Sequence, residues 1–331
     1  RALLGAAGAT LAAACAPGAR VATPSSSAPV VVGPVETTTI TIDNQEGCET
    51  WTWLAEPFLR EEGFTEVRLA DPYGPGVITG KSDIQTNLGV AIALQVNAGK
   101  PVVALAGTHT GCIELWARPN INSIGDLRGK RIVVNQKDVL ADPTYSTWVS
   151  ILATFGIAAS EVSFTEGAGI PAFLDGQADA VFAAITGGPR LRADPNKTGH
   201  QIFDIGVDKP WSQYFCCLLV ANRDWAKRNP NAAMRATRAV LRAIDYGAKD
   251  HARTVRAAVD KKVPAASVPE FLLEALHHHG YSWRDYDAEE TIRFNALRLA
   301  DAKLLTKTPS QVVAEGSDFA FFRQLQKELP A

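Results

Sequence analysis

From residue 38 onward, short apolar and β-branched runs alternate with longer segments of helical spacing. Thr38-Thr39-Ile40-Thr41-Ile42 reads as a strand, and residues 51–61 read as a helix that Gly63 stops. Val67-Arg68-Leu69-Ala70 is a second strand. Asp83 stands where an N-cap would open a helix running to about Asn97, with Gly99 and Pro101 closing it. Residues 102–105 make a third strand, and this β-α-β-α-β order implies a parallel sheet with right-handed crossovers.

The pattern then restarts. A helical turn at 123–127 precedes a strand at 131–135, a helix at 144–155, a strand at 162–164 and a short helix at 170–174. Strands at 178–183 and 201–205 follow, then an apolar strand at 215–220. Beyond it the chain turns helical: 230–250, 251–261, 269–277, 288–302 and 309–313. Leu241, Ile244 and Ala248 keep a spacing of three to four, so these helices bury one face. The expected fold class is α/β, with two β-α-β lobes and a helical tail packed on one of them.

Residues 1–36 stand outside this pattern. Residues 1–19 are small and apolar with one leading Arg and no acid, which resembles the end of a secretory signal peptide. Ala12-Ala13-Ala14-Cys15 resembles a bacterial lipoprotein cleavage box in which Cys15 takes the lipid, although Ala12 stands where Leu is preferred. Plain cleavage near an Ala-x-Ala site is the alternative. The Ser- and Pro-rich stretch 20–36 reads as a tether. The expected location is therefore periplasmic or extracytoplasmic, with a membrane tether if Cys15 is lipidated.

Composition narrows the function classes. With 46% hydrophobic residues and 21% charged, the chain is too apolar to be disordered. With 33 basic against 35 acidic residues it lacks the excess that a phosphate-backbone footprint needs, so nucleic acid is not an expected partner. The basic run from Arg235 to Lys262 reads as a solvated helix face rather than a nucleic-acid patch. No phosphate loop, dinucleotide fingerprint, HExxH motif, CxxC pair or GxSxG elbow is present, so neither a cofactor nor a catalytic residue is expected. His277, His278 and His279 are adjacent and point in different directions on a helix, which argues against one shared metal ion. Cys48, Cys112, Cys216 and Cys217 lack zinc spacing, so no metal is expected. A disulfide among them is left open, and Cys216 and Cys217 read as small buried hydrophobes.

Several stretches together carry a family resemblance: residues 56–67, residues 105–115, Ser123-Ile124-Gly125-Asp126-Leu127-Arg128-Gly129-Lys130, Pro210-Trp211-Ser212-Gln213-Tyr214-Phe215-Cys216-Cys217, and residues 287–294. They resemble substrate-binding proteins of ABC importers of the nitrate/sulfonate/taurine type, and also the thiamine-pyrimidine synthase-like family. The resemblance implies a type II periplasmic binding protein fold: two lobes joined by two crossover hinge strands and closing on a solute. Lobe one would comprise residues 37–110 plus 222–331, and lobe two residues 111–221. The crossovers would fall near 107–115 and 215–220, with Gly107 and Gly111 as hinges. It implies a monomer that delivers a small solute to permease and ATPase subunits. The synthase alternative carries a CCCFC iron-binding stretch, and Cys216-Cys217 has no such pattern around it. A periplasmic sensor partner is a third reading.

Ligands of parallel sheets bind beyond the carboxyl ends of strands. That rule selects Gln45 and Cys48 after the first strand, Ser82 and Asp83 before the next helix, and Thr108, His109 and Cys112 in the first crossover. It adds Tyr145 and Ile185 from lobe two, and Trp211 and Tyr214 before the return crossover. Amides and hydroxyls at helix starts can hold an anionic or polar head, and Trp211 and Tyr214 can wall an aromatic body. Each also has a plainer role: Trp211 and Tyr214 as core, His109 as a structural histidine, Asp83 as a helix cap. Lys81, Lys137 and Arg190 are the nearby cations, so the expected solute is a mono-anion or a neutral polar or aromatic molecule.

Overall fold

Two five-stranded mixed sheets, each flanked by helices, organise the chain in a computed structural model that describes residues 32–43, 49–70 and 76–329. Chain order begins with β1 (Thr39–Asp43), α1 (Trp51–Leu54), α2 (Glu56–Glu61), β2 (Glu66–Ala70), α3 (Gly76–Thr79), β3 (Ile84–Leu88), α4 (Gly89–Asn97) and β4 (Val102–His109). The chain then crosses to β5 (Ile113–Ala117), β6 (Arg131–Val134), α5 (Pro143–Thr154), β7 (Ser163–Glu166), α6 (Ile170–Leu174), β8 (Ala180–Ala184), α7 (Gly187–Arg192) and β9 (His200–Asp204). It returns as β10 (Cys217–Asn222) and ends in α8 (Arg223–Arg228), α9 (Pro230–Ala248), α10 (His251–Asp260), α11 (Pro269–His278), α12 (Ala288–Asp301), α13 (Pro309–Gly316) and α14 (Ala320–Glu328). The signal-like segment with Cys15 lies outside the described residues. No helix among the described residues is long and apolar enough to cross a membrane.

The first sheet has the order β2-β1-β3-β10-β4 and the second β7-β6-β8-β5-β9. Neither is purely parallel, which corrects the expectation from sequence. β1 runs parallel to β2 and β3, and β6 parallel to β7 and β8. β10 runs antiparallel to both β3 and β4, and β5 antiparallel to β8 and β9. The reason is connectivity. β5 and β10 each arrive from the other sheet rather than over a helix of their own, so they run against their neighbours.

Two helix expectations also change. The segment from Asp83 begins as a strand, because Ile84–Leu88 is claimed on both sides by β1 and β10. Asp83 therefore caps no helix: its Oδ2 accepts the Thr41 N–H of β1 at 2.7 Å, and burial pushes its carboxyl above the usual range. The helix expected over 51–61 splits at Ala55, since Pro57 has no N–H to return to the Trp53 carbonyl. The tail helices form as expected. α9 buries Ala236, Val240, Leu241 and Ile244 in the core of lobe one, and its outer Arg235 and Arg238 pair with the buried Glu62 while Arg242 pairs with Glu61. Separate cores fill the two lobes, with Trp51 and Trp283 fully buried in the first and Trp148 in the second.

The crossovers are tightly built. Gly107 lies in β4, opposite Leu218 of β10, and a Cβ there would run into the ring of Phe215, so its role is close packing rather than backbone freedom. Gly111 does need that freedom: its φ is +68°, and a Cβ would come within 2.9 Å of the Gly206 Cα on the returning chain. A disulfide joins Cys112 at the first crossover to Cys216 at the second, across 104 residues of sequence. Cys216 is therefore no mere buried hydrophobe, while Cys217 stays outside the bond and is buried.

A Gly107→Ala substitution should overpack the crossover and destabilise the protein by about 2 kcal/mol. The check is a urea unfolding series. A lowered midpoint is expected, with most of the loss recovered when Phe215 is also replaced by Leu.

Candidate functional site

The carboxyl ends of β1, β3, β4, β6 and β8 face one another across the gap between the lobes. A cavity of about 190 Å³ sits there. Lobe one contributes Glu49, Thr86, Asn87 and Leu88, and lobe two contributes Ile113, Pro143, Thr144, Phe182 and Ala184. Cys112 and Cys217, from the two crossovers, complete the wall. A roomier groove of about 640 Å³ lies elsewhere, against β4, α9 and α14, lined by Val103, Leu105, Met234 and Phe321. It is lined from lobe one alone, beside the amino end of β4 and the carboxyl end of the antiparallel β10, and the smaller cleft between the two sheets is the site that parallel-sheet geometry favours.

Local sequence sets each wall. Asp142 folds the loop after β6 by accepting the Asn135 and Gln136 N–H groups at 2.9 and 3.0 Å. Its other oxygen caps α5 through the Thr144 N–H at 2.8 Å. Pro143 occupies the first turn, where a missing N–H costs nothing, and the positive end of α5 thus opens on the cleft. On the opposite side Glu49 is held by the Trp51 indole N–H at 3.1 Å, and the same indole donates to Thr86 at 2.8 Å. The His109 Nε2 stands 3.3 Å from the Glu49 carboxylate. Among the described lining residues Glu49 is the one charged side chain, and no Lys or Arg is present.

The lobes touch on either side of the cavity. On one side His278 of α11 donates to Asp204 at the end of β9, at 2.8 Å. Arg192 of α7 bridges Glu114 and Glu274, both at 2.7 Å. Thr110 and Gly280 exchange backbone hydrogen bonds beside them. On the other side Tyr214 stacks on Phe294 of α12 at 4.1 Å between centroids, and Trp211 meets the same ring edge-on at 5.0 Å.

The residues selected from sequence fall in several places. Gln45 and Cys48 lie outside the described residues. Cys112 lines the cavity, and its sulfur is in the disulfide. His109 is buried just behind it, and the buried Thr108 donates its hydroxyl to the Cys217 carbonyl at 2.9 Å. Ile185 follows Ala184 with φ +51°, a strained setting for a β-branched residue, and its N–H reaches the Cys112 carbonyl at 3.3 Å. Ser82 and Asp83 sit at the start of β3, away from the lining. Tyr145 packs edge-on against Phe164, and Trp211 and Tyr214 are engaged by Phe294. Glu49, Thr86, Asn87, Phe182 and Cys217 were not selected. The loop rule would have reached Asn87 had the strand at 84–88 been recognised.

Among the described residues, one grouping has metal-ligand spacing: His109, Cys112 and Cys217, whose nitrogen and sulfur atoms lie within 4.8 Å of one another. With the disulfide intact, it offers one imidazole and one thiol. The histidine run separates in space. His278 pairs with Asp204, His279 is buried against His109, and His277 lies against His251.

Comparison with known proteins now adds a family and a fold. The model of the family described as NMT1/THI5 like matches residues 68–253. No curated protein sequence matches the chain. Among solved structures, the periplasmic nitrate-binding protein NrtA from Synechocystis PCC 6803 superposes with a TM-score of 0.69 at 14% identity, covering 90% of each chain. The alkanesulfonate-binding protein SsuA from Xanthomonas axonopodis pv. citri, bound to MOPS, gives 0.66 at 14% identity, covering 86% of this chain and 99% of its own. The desulfurization enzyme DszB gives 0.56 at 14% identity, covering 88% and 99%. At these identities the likeness is one of fold, that of the two-lobed periplasmic binding proteins.

The His278–Asp204 contact makes lobe apposition depend on pH. The hydrogen bond to Asp204 holds His278 above its ordinary value of 6.5. Burial opposes ionisation of Asp204, yet hydrogen bonds from His278 and the Gly206 N–H keep it below 3.8. The histidine contribution is thus complete below pH 6.5 and is lost as pH rises through its raised value. The aspartate contribution is complete above 3.8 and is lost as pH falls through its depressed value. His279, driven well below 6.5 by burial and the neighbouring His109, acts with the opposite sign to His278 and weakens the fold at low pH. Melting temperature should fall on the alkaline side of His278's titration, and His278→Gln should flatten that slope while leaving the His279 slope in place.

Proposed function

The chain belongs to the NMT1/THI5-like family, and from that premise we propose that it is an extracytoplasmic solute-binding protein serving an ABC importer. The observation that carries this reading is the cleft. It lies at strand carboxyl ends between two lobes that the chain links by two crossovers, so a solute held there contacts both lobes and biases their separation. Solved structures of like fold named for nitrate and alkanesulfonate binding support it. The partners are a permease and its ATPase, which read lobe apposition. Cys15 supplies a lipid tether to the membrane surface.

The cavity's size and mixed lining suit a small polar solute with an apolar or aromatic part. Leu88, Ile113 and Phe182 supply apolar wall, and Thr86, Asn87 and Thr144 supply hydrogen bonds. One buried carboxylate and no basic side chain at the described lining disfavour a multiply charged anion. The solute is neutral or carries a single charge, with any acidic group directed at the positive end of α5.

Catalysis is the second reading, favoured by the family description and by the fold shared with a desulfurization enzyme. Turnover of a pyridoxal-type substrate with iron would overturn the binding reading. A thermal-shift screen with nitrate, taurine, alkyl sulfonates, aromatic carboxylates and pyrimidines tests the first. Stabilisation by neutral or singly charged solutes is expected, and stabilisation by dianions alone would sink it. For a solute so found, Thr144→Val should weaken binding roughly tenfold, the loss of about one hydrogen bond, without lowering the melting temperature of the empty protein.

A further inference from the structure

Two histidines stand apart from the buried ones. His251 opens α10 and His277 lies one residue before the end of α11, on helices that pack together in lobe one. Their ring centroids are 4.9 Å apart, with the planes tilted by 56°. His251 is half-buried and His277 is exposed, so the pair opens on solvent. Neither ring shares a hydrogen bond or an ion pair with another described residue. The histidines next in sequence are committed elsewhere: His278 to Asp204 at 2.8 Å, and the buried His279 to the Tyr281 hydroxyl at 3.4 Å.

We propose that His251 and His277 form a two-imidazole site for a divalent metal ion of the nickel, copper or zinc kind. Imidazole nitrogen is a favoured ligand for these ions. Two nitrogens bound to one ion at about 2.1 Å each stand roughly 3 Å apart. Rings with centroids 4.9 Å apart give that separation when one nitrogen of each turns toward the other. Water fills the remaining positions, which the open side of the pair allows. The His109 grouping differs: all three of its residues are buried, and the disulfide takes one of its sulfurs.

A metal ion takes the neutral imidazole. Burial lowers His251 below its ordinary value of 6.5, and repulsion from His277 lowers it further, against the pull of Asp250. The same closeness that makes the two rings repel as cations lets one ion bridge them when neutral. The Asp250 carboxylate, which caps α10 through the Arg253 N–H at 2.9 Å, adds negative potential beside the ion. An ion held here ties the start of α10 to the end of α11, next to the residue that reaches Asp204 in the second lobe. Neither histidine lines the cleft, so the site stands independently of the solute reading.

Metal titration tests the proposal. The full chain, stripped with a chelator, is titrated with Ni2+ and with Cu2+ by calorimetry in a non-coordinating buffer. Uptake of one ion that depends on both histidines is expected. His251→Ala and His277→Ala should each weaken that uptake roughly tenfold or more. His200→Gln, at another partly exposed histidine, should leave it unchanged. Pulsed electron paramagnetic resonance of the Cu2+-loaded chain should show two coupled imidazoles in the unaltered protein and at most one in either single variant. The unaltered protein's spectrum is read without any variant, so a variant that failed to fold would not shelter the proposal. Uptake that survives both replacements in folded protein, or a Cu2+ signal with fewer than two imidazoles in the unaltered chain, overturns it.

Discussion

Strand β10 holds the molecule together. It enters the first sheet from the second lobe and lies antiparallel between β3 and β4, with hydrogen bonds to both. Every residue from Cys217 to Asn222 is buried there, so the pairing is made in low dielectric, where unpaired peptide groups are costly. The strand's position dictates what surrounds it. Gly107 has no side chain because Phe215 covers it, and Thr108 turns its hydroxyl onto the Cys217 carbonyl. The Cys216 carbonyl accepts the first N–H of α4, which fixes where that helix starts. The cleft inherits its floor from these contacts.

The helical tail was the most legible part of the sequence. Its apolar spacing is regular, and its caps are ordinary ones, such as Asp287 before α12 and the Thr308–Gln311 box before α13. β3 was the least legible. Ile84–Leu88 is short and flows straight into α4, and Asp83 mimics an N-cap while its true partner, the Thr41 amide, is 42 residues away. Mixed sheet direction was hidden for the same reason: β5 and β10 look like any apolar strand until their neighbours are known. In the cleft, the strand-end rule reached His109 and Cys112 but stopped one residue short of Glu49, which follows Cys48 and is held by Trp51, and it missed Cys217, which is placed by the long-range pairing of β10. Trp211 and Tyr214 show the limit of aromatic signals. Their binding and core readings were equal on sequence, and a single partner, Phe294, engages both.

Charge is distributed with a purpose that the near-neutral total conceals. Some ion pairs stand at margins where lobes or helices meet, as in Arg192 with Glu274, or Arg238 with Glu62. The described residues of the cleft lining carry one carboxylate, Glu49, and no basic side chain. Pairs at a margin gain modestly from contact and are easily exchanged for water, which suits surfaces that separate and rejoin. A strongly charged cleft would instead resist emptying. The arrangement therefore combines reversible edges with a mild interior.

The interleaving of the two lobes also orders events as the chain is made. β3 and β4 are complete by His109, yet the strand that fills the space between them is not synthesised until Cys217 to Asn222. In that interval the nascent first sheet presents two unsatisfied edges, each a template for another strand. The whole second lobe emerges meanwhile, and its own sheet requires nothing from later residues. It can form while the first sheet waits. The stage most exposed to misassociation is thus written into the topology, and a holding chaperone would find its target between those two points in the chain.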